Sequence, residues 1–201
     1  MGCISIILEK NDGEETVLPF PSSHGMLPLS MVKEDKPMGV TILLTLMLMA
    51  AYFLMLYGVV GLLQEKRFFS SAPREVLAAL PEKKPERFPG AHALGWIMEG
   101  LAAAMFLAAL VLAVWDGDQR GYGFGDFFLR FCVMLYGMEV YDILFFDWFL
   151  LCHSGFYPHF YPEVKGIVGP RLFGFNKKAH LVHLAVYLPV CAGLAWVAAM
   201  V

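Results

Sequence analysis

The sequence predicts an all-α integral membrane protein: a four-helix bundle with a structured aromatic loop between its third and fourth helices. Two observations carry this prediction. The chain has 201 residues, of which 58% are hydrophobic and only 16% charged, with a mean hydropathy of +0.60. Soluble domains carry more charge and break their apolar runs sooner. Four stretches, at about 39–63, 93–115, 127–151 and 179–201, approach the roughly 20 apolar residues that a helix needs to cross a bilayer. Their hydrophobicity is continuous rather than alternating, which selects helices over the strands of a closed barrel.

Residues 1–38 read as a tail preceding a single membrane domain, 39–201. The tail is acidic, with three Lys against six Asp and Glu. Met38 lies just before the first span, so the tail reads as an upstream extension of the true start. "MGCISI" departs from a myristoylation signal at Ile6, where Ser or Thr is required. In the loop 64–92, Ser71, Pro73 and Pro81 frame a short helix whose Val76, Leu77 and Leu80 share one face. That helix is expected at the membrane surface. "DGDQRGYGFGD" between the second and third spans reads as a turn, with Trp115 as an interfacial anchor. The loop 152–178 is too apolar for a solvated linker and too interrupted by Pro158, Pro162 and Pro170 for one helix. It is expected to form a flap over one face of the bundle.

The basic residues fix an expected orientation. Loops 64–92 and 152–178 together hold ten Lys and Arg, the opposite side four. The positive-inside rule places those loops in the cytoplasm and both termini outside, with the plasma membrane as the expected location. A formal net charge of −3 argues against nucleic acid as a partner. The four cysteines have neither a disulfide nor a zinc-finger spacing. HExxH, GxSxG and the histidine clusters of membrane di-iron enzymes are absent.

The chemistry is expected on the third span. At 100° per residue, Cys132, Tyr136, Glu139, Asp142, Asp147 and His153 fall within an arc of roughly 140°. An Asp at the centre of a span costs about 2.5–3.5 kcal/mol, whereas each Leu, Ile, Phe or Val returns about 0.3–0.6. These carboxylates must therefore face the bundle interior, find partners or be protonated. Partners are offered by His92, Trp96 and Glu99 on the second span and by Asn176, His180, His183 and Tyr187 on the fourth. Counted at 1.5 Å per residue from the basic-loop ends, Glu99, Asp147 and His183 sit at a similar level, roughly 5–10 Å in. Asp142 and Glu139 lie deeper, and His153, His180 and His92 shallower.

The candidate polar pocket thus comprises Glu99, Glu139, Asp142, Asp147, His153, His180 and His183, with Asp147, His183 and Glu99 as candidate ligands of a divalent metal ion. Carboxylate with imidazole suits zinc, iron or manganese. The leading expectation is a site for a proton, a divalent cation or a polar ligand, with transport requiring a homo-oligomer. A second is an enzyme acting on a lipid or prenyl-phosphate headgroup held by Arg171, Lys177 and Lys178. A third is an accessory subunit whose polar face meets a membrane partner. Burial separates the last from the others: acids turned outward await a partner, acids turned inward form a site.

Overall fold

The computed structural model describes residues 38–69, 72, 74–167 and 176–201. Residues 1–37 of the tail, Ser71, Pro73, Pro170 and Arg171 lie outside the described residues. There are four main helices: α1 (Gly39–Leu63), α3 (Ala91–Gln119), α4 (Phe124–Tyr141) with its extension, and α6 (Lys177–Ala198), with the short helices α2 (Arg74–Ala79) and α5 (Phe156–Phe160) in the loops. No sheet forms among the described residues; a single antiparallel bridge joins Glu65 to Lys83.

Three helices, α1, α3 and α6, are long and apolar enough to cross a membrane. The expected third span is also helical, continuing from α4 through Asp142–His153. It differs in composition, carrying Asp126, Arg130, Glu139, Asp142 and Asp147. Length and apolarity alone therefore do not class it with the other three. Its packing provides what composition lacks. The main helix interfaces run α3 to α1, α1 to α4 and α4 to α6, so α4 lies between two apolar helices. Phe127, Phe131 and Met134 of α4 are almost fully buried against Leu44 and Leu48 of α1 and Cys191 and Ala195 of α6. The outward faces of α3 and α6 expose Leu107, Val111, Leu181 and Leu188, as hydrocarbon-facing surfaces do.

Two helices widen towards the same end of the bundle. Gly58–Leu63 and Asp142–His153 are π-helical, with backbone bonds reaching one residue further than in an α-helix. The first ends at Gln64, which takes a left-handed conformation at φ 52°. Close approach governs the other contacts of α3. A Cβ on Gly95 would lie 2.8 Å from Leu63 Cγ, and one on Gly117 would overlap the Phe127 ring.

The opposite end is fastened by Arg130, only 1% exposed. Its guanidinium donates to Asp116 Oδ2 at 2.6 Å, the Ala113 carbonyl at 2.6 Å, Thr41 Oγ1 at 3.1 Å and the Tyr122 hydroxyl at 3.1 Å. Its partner is thus Asp116 on α3. Asp126, four residues before Arg130, accepts from the Gly123 amide at 3.1 Å. Buried guanidinium needs this degree of satisfaction.

The two loops expected on one side of the membrane do pack together, in a cap over the π-helical end. Val60, Phe69, Val76, Leu80, Phe160, Tyr161 and Val164 form its core. Phe69 meets Tyr161 edge-on at 5.2 Å, and Lys84 bridges to Glu163 at 2.9 Å and the Phe160 carbonyl at 3.0 Å. Helix α2 therefore turns its apolar face onto protein rather than a lipid surface.

Candidate functional site

The site is built where the π-helical part of the third main helix faces the start of α6. Wider turns change which side chains align. On an α-helix Asp142 and Asp147 would stand about 140° apart; with hydrogen bonds from i to i+5, a residue and its fifth successor turn much closer to one face. Both carboxylates therefore reach towards His180, together with Glu139 from the preceding α-helical turn.

His180 is the hub. It is 7% exposed, beside Glu139 at 2% and Asp147 at 6%. Its Nδ1 lies 2.8 Å from Glu139 Oε1 and its Nε2 3.0 Å from Asp147 Oδ2. Asp142 Oδ2 stands 3.9 Å from the same Nδ1. A neutral imidazole donates from only one nitrogen. Holding both carboxylates at once requires either an imidazolium ring or one carboxyl that keeps its proton, so the trio stores a proton. Asp147 is oriented in turn by Asn176, whose amide nitrogen Nδ2 donates to Oδ1 at 3.1 Å and whose backbone N–H reaches Oδ2 at 3.3 Å.

His183, one turn further along α6, completes the arrangement. Its Nδ1 lies 3.4 Å from Glu139 Oε2, shielded from solvent, yet without a hydrogen bond. The ring stacks on Tyr187 at 5.7 Å. One ligand atom each from Glu139, His180 and His183 lies within 4.8 Å of the others. A tetrahedral zinc with bonds of about 2.0–2.1 Å holds its donors roughly 3.3 Å apart, so this group needs only a small contraction to close on an ion.

Of the residues expected in the pocket, Glu139, Asp142, Asp147, His180 and His183 come together. Glu99 does not join them. Helix α3 packs on α1, and the Glu99 carboxylate faces Gly58 of α1, where a Cβ would lie 2.6 Å from Oε1. That oxygen is buried without a hydrogen-bond partner. The donors that converge are therefore Glu139, His180 and His183, rather than Asp147, His183 and Glu99. His153 is turned away, with Nδ1 2.6 Å from the Trp148 carbonyl and its ring 4.4 Å from the Trp148 ring. Lys177 and Lys178 are exposed at the start of α6. The acids face inward, with Glu139 and Asp147 buried.

Two tyrosines escaped the sequence reading. Tyr52 of α1 stands beside Asp142, and nothing in the apolar run of α1 marks it. Tyr157 of α5 approaches Asp147; burial first, then that carboxylate, raises its pKa above the usual phenol value. Both line a cavity of about 220 Å³ that extends from the polar group into the cap. Its polar end is formed by Asp142, Asp147, Asn176, His180 and His183, and its far wall by Val60, Phe69, Val76, Leu80 and Val164.

No protein family, curated protein or solved structure matches this chain.

Proposed function

We propose that the protein is a four-crossing membrane protein that binds a divalent transition-metal cation through Glu139, His180 and His183, at the cytoplasmic end of its bundle. The observation that carries this reading is the convergence of two imidazoles and a carboxylate from two helices, with a shielded His183 nitrogen that lacks a partner. Asp142 is close enough to serve as a fourth donor. Asp147 acts one step back: it holds the Nε2–H of His180, fixing the tautomer that presents Nδ1 to the ion, and Asn176 fixes Asp147. Carboxylates behind metal-binding histidines commonly play this part. Two imidazoles with carboxylate suit zinc, iron or manganese.

The basic loops 64–92 and 152–178 support a cytoplasmic position for the cap. Inward burial of the acids favours a site within this chain over a polar face awaiting another subunit. Binding replaces the proton held by the trio, so uptake of the ion releases protons.

Metal analysis of detergent-purified protein tests the proposal. Wild type is expected to retain one zinc or manganese ion per chain after dialysis, and His183→Ala and Glu139→Gln to lose it. Lys178→Ala keeps it. Equal metal content in all four proteins refutes the site.

A further inference from the structure

The cavity beside the cation site has a use that the three donors do not exhaust. Val60, Val76, Leu80 and Val164 are at most 6% exposed, yet all four border it, so its far end is walled by the core of the cap. These four side chains offer water no partners and favour an apolar occupant; Tyr161, whose buried hydroxyl lacks a hydrogen-bond partner, also borders the cavity. The other end offers carboxylate oxygens and imidazole nitrogen. A ligand that satisfies both ends has an apolar body and one compact polar head.

Charge selects the head, and here the inference rests on the cation reading above. Glu139, Asp142 and Asp147 with a divalent ion and two neutral imidazoles sum to a net negative site. An anionic head is repelled, and an ammonium head competes with the ion for the same carboxylates. A hydroxyl can donate to Asp142 while offering a lone pair towards the ion. We propose that the cavity holds a single-chain amphiphile with an uncharged hydroxyl head, a long-chain alcohol in its simplest form, with the head at Asp142 and the chain between Val60, Val76 and Leu80. The apolar outer faces of α1 and α6 place the cap next to a bilayer, in which such molecules dissolve.

A photoreactive dodecanol with its diazirine in mid-chain tests this on full-length protein in phosphatidylcholine nanodiscs, with metal content measured on the same samples. Label is expected on peptides containing Val60, Val76 and Leu80. Unlabelled dodecanol should compete at about tenfold lower concentration than dodecanoate or dodecylammonium, the scale of one well-made hydrogen bond. Ala179→Trp, at an exposed position on the cavity rim, and Ala72→Phe on the cap side should each cut cap labelling about fivefold or more while the metal stays bound. Label confined to outward residues such as Leu107 and Leu181, or unchanged in both variants, overturns the inference and leaves the cation reading standing. Metal-free protein that prefers dodecylammonium overturns both.

Discussion

His180 and Asp147 meet at 3.0 Å, although one begins the last helix and the other lies in a π-helical turn of the third. With Glu139 on the other ring nitrogen, this contact ties the two helices through a single imidazole. The same side chain thus serves the packing of α4 on α6 and the candidate cation site.

Removing the imidazole should therefore cost stability as well as binding. His180→Ala leaves two buried carboxylates facing a void without their donor. We expect a loss of about 3 kcal/mol, the range for breaking a buried pair from one side. Thermal unfolding in detergent measures it. A variant with wild-type stability would mean that Glu139 and Asp147 find other partners.

The pH dependence of metal binding follows from the same proton. Zinc affinity should fall in acid, because protons compete with the ion for Nδ1 of each histidine. Calorimetry in buffers of different ionisation enthalpy reads the number of protons released. A pH-independent affinity would exclude imidazole as a donor.

At the opposite end, Asp116→Ala strands the Arg130 guanidinium among Thr41, Ala113 and Tyr122. A destabilisation of about 3 kcal/mol is expected. Arg130→Met with Asp116→Ala should be much milder, since no charge remains buried. A double-mutant cycle separates the two outcomes.

Close packing of α3 should show in its glycines. Gly117→Ala drives a Cβ into the rigid Phe127 ring and should cost about 1–3 kcal/mol. Gly58→Ala, on the surface of α1 that faces α3, overlaps the Glu99 carboxylate, the end of a side chain that can swing aside, and should cost less. Unfolding midpoints in one detergent rank the two.

The cap should loosen in acid. Its Lys84 partner holds Glu163 below the usual carboxylate pKa. The tie therefore stabilises above that usual value and is lost as pH falls through the lowered one. The pair is exposed, so the effect is less than about 1 kcal/mol. Hydrogen exchange at the Val164 amide, corrected for intrinsic rate, should speed up in that window, and Glu163→Gln should flatten the response.

Much of the fold was legible because a hydrocarbon solvent forces simple rules on sequence. Apolar runs located all four main helices, although only α1, α3 and α6 are apolar enough to cross a membrane, and the count of Lys and Arg grouped the two loops whose described parts pack into the cap. In 152–167, the described part of the loop before α6, aromatics and prolines announced packed structure, though not the short helix α5. Depth was a poorer guide: counting rise per residue set Glu139 deeper and His180 shallower than His183, yet His180 Nδ1 lies 2.8 Å from Glu139 Oε1. The lateral order of the helices was not legible at all. Glu99 sits on α3, which packs on α1, apart from the group around His180.

The sequence by itself determined that this chain is helical, apolar in long runs and obliged to bury, pair or protonate Glu139, Asp142 and Asp147. Only the tertiary structure decided which groups compensate them. The helix order brings α6 rather than α3 to the acids, and π-helical turns swing Asp142 and Asp147 towards the same imidazole. The physical reason is that the cost of burying a charge is local and additive enough to read residue by residue. The partner that offsets it depends on helix adjacency and on the angle per residue, and both are set by packing between distant segments.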